Sequence, residues 1–283
     1  ERLLEIERAN IKTYGYGAKG FTLSMLQTAL EISDGKVSTK VIRELLDAGR
    51  DPPRSASTCA SRFLRRPQPH DWKATTEAIQ HLTDVDKRIK LAVITEPELL
   101  AGDVLDTTDV LLVNYCNWES ATLSAASRKR FTNFVRGGGG LFLLHFANGA
   151  WRDWPDYHGG FSRRVWVDGK ANHDAYGSFS VDIAIPDHIL TRGLKRFTTT
   201  DELYCSQVGN DAVTPLLTAV SKVTGKSEPL AYTYKAGMGV VVQTLLGHDA
   251  GAVLAPEHAE FIRRGIAYAA GREVLQFPLE RLD

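Results

Sequence analysis

Four consecutive glycines, Gly137 to Gly140, run straight into Leu141-Phe142-Leu143-Leu144 and then His145. An apolar run this short, entered from a glycine turn, reads as a strand buried on both faces. Strands of that kind belong to parallel α/β sheets, where ligands bind beyond the carboxyl ends of the strands. His145 stands at such an end. The blander alternative is a core histidine bonded to a backbone carbonyl, and this stretch alone leaves the two open.

The surrounding pattern fits the sheet. A helix is expected over Lys73–Leu82, strands over Ile89–Thr95 and Asp109–Asn114, and an amphipathic helix over Leu123–Arg136 with Ser124 as its cap. Strands and helices in alternation argue for a parallel sheet with right-handed crossovers. Further strands are expected at Ser178–Ile185, Val213–Val220, Leu230–Tyr234 and Gly239–Leu245, and a closing helix at Pro256–Ala270. Upstream, residues 1–50 read as a helical segment broken by Gly15, Gly17 and Gly20, with Ser38 capping a helix over Thr39–Ala48. Residues 51–69, with two proline clusters and four arginines, read as a linker open to proteolysis. The organisation expected is therefore 1–50 helical segment, 51–69 linker, 70–275 α/β domain and 276–283 tail.

Lys plus Arg balance Asp plus Glu at 34 each. A net charge of zero gives no support to a nucleic-acid or membrane-surface role. Cys59, Cys116 and Cys205 lack metal-motif spacing and fit a reducing compartment. No apolar run approaches the roughly 20 residues of a membrane span. The cytoplasm is the expected location, although a chain that begins at Glu1 says little about export. Whether the chain forms a homo-oligomer is left open.

Polar residues collect where strands end. His70, Asp71 and Trp72 precede the first helix of the sheet; Asn114, Asn117 and Trp118 follow one strand; His145 follows the next. Asp201, Glu202 and Tyr204 lie in a turn, and His248 with Asp249 follows the last strand. Parallel strands deliver such residues to one edge, which argues for a pocket. A cysteine nucleophile fits poorly, because Cys116 has no histidine that the sequence brings to it. The candidate histidines His70, His145, His158, His188 and His248 are dispersed, with no compact ligand motif, so a divalent metal is a candidate cofactor and no more. Acid–base chemistry by His with Asp or Glu needs no other residue type. Trp151, Trp154, Tyr157, His158, Phe161 and Trp166 crowd the stretch from Trp151 to residue 178, and are expected to wall the pocket and stack on a sugar. A satellite core under the loop is the alternative.

Two resemblances bear on this. KGFTLSMLQTALEISDGKVS faintly resembles the helical cap of haloacid-dehalogenase-type phosphatases, but that family's Asp-x-Asp strand is absent, so phosphatase activity is not expected. The second covers His70 to about Val274. His70-Asp71-Trp72, DVLLVNYCNW, GGGGLFLLHFANGAW, Asp187-His188-Ile189-Leu190, Asp201-Glu202-Leu203-Tyr204 and Gly239 to His248 together resemble the ThuA-like, or trehalose-utilisation, family. The resemblance implies a class I glutamine-amidotransferase-like, flavodoxin-like three-layer parallel sheet, with His145 in place of the amidotransferase cysteine and hence no glutaminase activity. It also implies a part in sugar catabolism, of trehalose or keto-sugar type. Two departures stand out: SRFLRRPQP occupies the place of the family's apolar first strand, and His188-Ile189 replaces the usual His-Pro.

The expected site thus has His145, His248, Asp201 and Glu202 as catalytic groups, and His70, Asp71, Trp72, Asn114, Asn117, Trp118, Trp151 and Tyr204 as sugar-binding groups. The metal candidates are His70, His145 and His248. A sugar-processing hydrolase, lyase or isomerase and a non-catalytic sugar-binding or regulatory domain are the two readings. Clustering of titratable groups separates them, since a pure binding module needs few.

Overall fold

The computed structural model describes residues 2–3, 5–6, 9–10, 18–48, 57–60, 71–85, 89–116, 123–209, 211–272 and 274. The chain divides into two compact units, Glu1–Arg54 and Ser55–Asp283. The first holds helices α1 (Ala18–Ile32) and α2 (Thr39–Ala48). Ser38 Oγ accepts the Val41 N–H at 3.3 Å, the capping bond expected of it.

The second unit is built on a nine-stranded sheet. Its strands are β1 (Ser57–Ala60), β2 (Ala92–Ile94), β3 (Val110–Asn114), β4 (Gly140–Leu144), β6 (Gly177–Ile183), β7 (Phe197–Asp201), β9 (Pro215–Val220), β10 (Ser227–Ala236) and β11 (Gly239–Thr244). They lie in the order β2-β1-β3-β4-β11-β10-β9-β6-β7, and β5 (Asn172–His173) pairs with β8 (Tyr204–Cys205) in a separate ribbon. From β2 to β11 every pairing is parallel. From β11 to β7 every pairing is antiparallel. The expectation of a wholly parallel sheet is therefore corrected to a mixed one. The cause is local: Ala236 faces Gly239 across the two-residue turn Gly237-Met238. So short a link joins only antiparallel strands, since a parallel pair needs a crossover of a dozen or more residues.

A second correction concerns the expected linker. Ser57–Ala60 is β1, hydrogen-bonded between β2 and β3. Four small residues suffice because their backbones pair on both sides. The compact unit accordingly starts at Ser55 rather than at residue 70. Residues 61–70, including His70, lie outside the described residues.

The parallel half explains its own sequence. Val110 and Leu112 of β3, Phe142 and Leu144 of β4 and Val242 of β11 enter one hydrophobic cluster, with Ile79 and Leu82 of helix α3 (Trp72–Val85) and Phe261 and Ile262 of helix α6 (Pro256–Ala269). Leu111, Val113, Leu141, Leu143 and Val241 face a second cluster with Phe131 and Val135 of helix α4 (Ala125–Arg136). Helices cover both faces, so both parities of each strand are apolar. Ser124 caps α4 as expected, its side chain accepting the Ser127 N–H. The glycine run serves two purposes. Gly138 turns the chain at φ 117°, and a Cβ on Gly140 would lie 2.5 Å from the carbonyl oxygen of Ala269, so the strand packs backbone to backbone on the end of α6.

The aromatic stretch after Trp151 is a satellite core. Trp151 and Trp154 are each 3% exposed, which leaves neither ring a face for stacking on a sugar. Tyr115 stacks on Trp151 at 5.4 Å, and Phe131 meets Trp154 and Phe161 edge-on at 5.3 and 5.1 Å. The expectation that this loop walls a pocket is corrected for these rings, because they are buried against Phe131 of α4 in the second cluster.

Candidate functional site

The edge where β4, β7 and β11 end brings one carboxylate and three imidazoles together. β4 stops at Leu144, and His145 enters the left-handed region at φ 46° to start a 3-10 turn, His145–Gly149. That conformation is uncommon for a side-chain-bearing residue, and where it persists the surroundings fix it. Here His145 Nδ1 lies 2.8 Å from the carbonyl oxygen of Leu245, just past β11. A carbonyl only accepts, so Nδ1 carries the proton and Nε2 is turned the other way. Nε2 lies 3.9 Å from Oε2 of Glu202. His248 Nδ1 lies 3.1 Å from the same oxygen, and His173 Nδ1 lies 3.7 Å from Oε1.

Asp201 holds this geometry. Its Oδ1 accepts the N–H groups of Glu202 at 2.7 Å and His248 at 3.2 Å, and its Oδ2 accepts that of Gly247 at 2.7 Å. It ties the β7–β8 corner to the loop after β11. Burial pushes its carboxyl up to about 7, against the pull of those three N–H bonds and of His248. Gly247 sits at φ 118° with Leu144 2.9 Å from where its Cβ would be, so the loop approaches β4 only with glycine there. Asp249 caps helix α5 (Ala250–Leu254) by accepting the Ala252 N–H, and its other oxygen accepts from Tyr176 Oη. Tyr176 lies 5.2 Å, ring to ring, from His248. That bond, with burial and the Asp249 and Asp201 charges, raises the Tyr176 phenol to about 12.

Electrostatics separate the histidines. Burial works against protonation of His248, but the bond to Glu202 and the charges of Glu202, Asp201 and Asp249 outweigh it and raise its pKa above the ordinary value. His158, bonded to the Ala150 carbonyl, is lowered chiefly by burial. His188 accepts the Leu190 N–H in its own turn and is lowered by burial. Tyr204 packs on His145 at 4.3 Å between ring centres. Its phenol is held well above the usual range by burial, then by Glu202, Cys116 and Asp201.

The sequence-derived residues thus divide. His145, His248, Glu202 and Tyr204 come together, with Asp201 directly behind. Asp71 and Asn114 instead serve the first turn of α3. Asp71 Oδ1 accepts the Ala74 N–H at 3.0 Å, and Asn114 Nδ2 donates to Thr75 Oγ1 at 3.0 Å and Thr76 Oγ1 at 2.9 Å. Trp72 joins them through its carbonyl, which accepts from Asn114 at 3.3 Å. Asn117 and Trp118 lie outside the described residues, as does His70, so of the three metal candidates His145 and His248 are placed. His173 was not singled out from the sequence. Its strand, β5, is two residues long, too short for any periodicity; only its register opposite Tyr204 brings it to the site. A cleft of about 280 Å³ lined by His158, Ser162, Arg163 and Asp211, among others, shares no residue with this cluster.

The ThuA family model, described as trehalose utilisation, matches residues 64–269. No curated protein matches the chain. Among solved structures, a ThuA-like protein from Parabacteroides merdae is 20% identical with a TM-score of 0.65, over 80% of this chain and 94% of that one. A ThuA-like protein from Bacteroides uniformis follows at 15% and 0.56, over 77% and 93%. A cytoplasmic protein from Salmonella typhimurium is similar at 10% and 0.51, over 76% and 99%. At these identities the likenesses speak to the fold. Among the described residues no helix is long and apolar enough to cross a membrane.

Proposed function

The chain belongs to the ThuA, or trehalose-utilisation, family, and on that premise we propose that it is an enzyme acting on a sugar or keto-sugar through the cluster around Glu202. The observation that carries the reading is a single half-buried carboxylate facing imidazoles from three separate segments, His145, His173 and His248. Such a group suits proton transfer at a hydroxyl, or at a carbon beside a ketone, where one group takes a proton and a neighbour returns it. The raised pKa of His248 suits it to the donor's part near neutral pH. His145 stands where the family resemblance places the amidotransferase cysteine, so that nucleophile is replaced by an imidazole. Asp201 is a positioning residue in this reading, because its oxygens already accept backbone N–H groups. The family's flavodoxin-like, amidotransferase-like ancestry accounts for the parallel half of the sheet, and a cytoplasmic location matches the description carried by the Salmonella neighbour.

The test is solvent deuterium exchange and turnover, followed by NMR, on a panel of keto-sugars and disaccharides. The native chain should process at least one member. Glu202→Gln should slow that reaction by about 100-fold or more, the usual reach of acid–base catalysis, while thermal unfolding stays intact. Saturable sugar binding with neither exchange nor turnover would leave a binding module and end the enzyme reading.

A further inference from the structure

The geometry points to a divalent transition-metal site formed by His145, Glu202 and His248. One ligand atom from each residue lies within 4.8 Å of the other two. Glu202 Oε2 is 3.1 Å from His248 Nδ1 and 3.9 Å from His145 Nε2. A four-coordinate ion with bonds near 2.0–2.1 Å sets its ligands about 3.3 Å apart, which the two separations bracket. The third separation, imidazole to imidazole, is within 4.8 Å, so the two rings close toward each other when an ion binds.

The donor set has the right chemistry. Two imidazoles and one carboxylate are the protein ligands of many zinc sites that keep a fourth position for water or substrate. The same trio also suits ferrous iron. His145 is prepared for the task. The Leu245 carbonyl fixes the proton on Nδ1, so Nε2 presents its lone pair toward Glu202. A backbone carbonyl behind a ligating imidazole is the usual outer partner that fixes ring and tautomer. The second oxygen of Glu202 lies 3.7 Å from His173 Nδ1, whose own hydrogen bond, at 2.7 Å, is to the Asp174 carbonyl.

The frame is rigid where it must be. His145 follows directly on a fully buried strand, and the backbone of Glu202 and His248 is tied to one carboxylate, that of Asp201. Access also fits. The His145 side chain is fully buried, those of Glu202 and His248 keep 12% exposure, and that of His173 keeps 35%. A ligand therefore enters from the His173 side. The proposal rests on the functional reading above only in using the same cluster. With an ion bound, His248 would be a ligand in place of the proton donor named above, the ion would polarise a sugar carbonyl or hydroxyl oxygen, and the proton would pass to His173.

The test is calorimetric titration of the full chain, stripped with chelator, with Zn²⁺, joined by the visible absorption of the Co²⁺ form. One ion per chain is expected, with Co²⁺ bands of a low-symmetry nitrogen–oxygen site. Glu202→Gln and His248→Gln should each weaken Zn²⁺ binding by at least about 100-fold, beyond the 10–100-fold typical of outer partners alone. His248→Gln, in the loop after β11, keeps the test alive if the Glu202 variant does not fold. His81→Gln, on the exposed face of α3, should change nothing. Absence of stoichiometric binding, or equal binding by both site variants and the native chain, overturns the metal site. Full sugar turnover by the chelated protein overturns it as well while sparing the carbohydrate reading. Tight, variant-sensitive Zn²⁺ binding without any sugar turnover upholds the metal site and removes the carbohydrate reading instead.

Discussion

Lowering the pH should destabilise this protein through one histidine that lies outside the candidate site. His258, in α6, is fully buried, with Nδ1 donating to the Ala252 carbonyl at 2.8 Å and Nε2 3.1 Å from Thr244 Oγ1. Burial, only partly opposed by the Ala252 bond, pushes its pKa down to about 4 from 6.5. A depressed histidine favours the neutral ring when folded. Its contribution is complete above about 6.5, falls as the unfolded chain takes up a proton, and is gone below about 4. At about 1.4 kcal/mol per pH unit that window is worth roughly 3 kcal/mol. Asp201, raised to about 7, works with the opposite sign: its contribution is complete at low pH and is lost as the pH rises through 7. The native curve alone would therefore hide both. Urea unfolding of the native chain and His258→Gln at pH 7.5 and 4.5 separates them, because Asp201 is common to both proteins. The native chain should lose roughly 2–3 kcal/mol more than the variant over that interval. Equal losses would show that His258 titrates normally and that burial is not controlling it. Thr244 ends β11, so this lock also steadies the loop that carries Leu245 and His248.

Two further substitutions probe packing. Gly140→Ala sets a methyl against the Ala269 carbonyl and should cost about 1–3 kcal/mol in urea unfolding; an unchanged midpoint would mean that α6 shifts freely. Trp151→Ala empties part of the aromatic cluster and should cost about 3–5 kcal/mol, lowering the thermal midpoint by about 10 °C. A selective loss of sugar affinity at an unchanged midpoint would restore the stacking role first expected of that ring.

Strands buried on both faces were the most legible part of the fold. DVLLVN and GLFLL are continuous apolar runs because helices cover both sides, and their shortness and flanking turn residues favour strand over buried helix. β1 was hidden because STCA is neither apolar nor β-branched throughout; its place is set by neighbours β2 and β3, which a local pattern does not record. The antiparallel half was misread because its alternating strands look alike in either direction, and the two-residue turn at Gly237-Met238 was the one clue to polarity. In the site, His145 and His248 were legible as polar residues at or just beyond the ends of apolar strands, and Glu202 as an acid in a turn. Asn114 shares that position, yet it donates to Trp72, Thr75 and Thr76 in the first turn of α3, which Asp71 caps. A strand end says that a side chain reaches the edge of the sheet, and only the packing decides whether a helix N-terminus is waiting for it. The tryptophans mislead for a similar reason, since a loop rich in rings looks exposed until the surface beneath it is known.

The parallel pairing of β4 with β11 has a consequence in time. His145 and Leu245 are joined by a hydrogen bond across 100 positions of chain, and the segment between them includes the whole antiparallel half. Pairings so distant form late, because the loop must be closed before any contact compensates for its lost entropy. During synthesis β1 to β4 can collapse on α3 and α4 while β11 has yet to emerge, and in that state Glu202 and His248 have no fixed position. Anything that binds the cluster therefore recognises only the finished chain, and at saturating concentration it should slow unfolding and raise the midpoint.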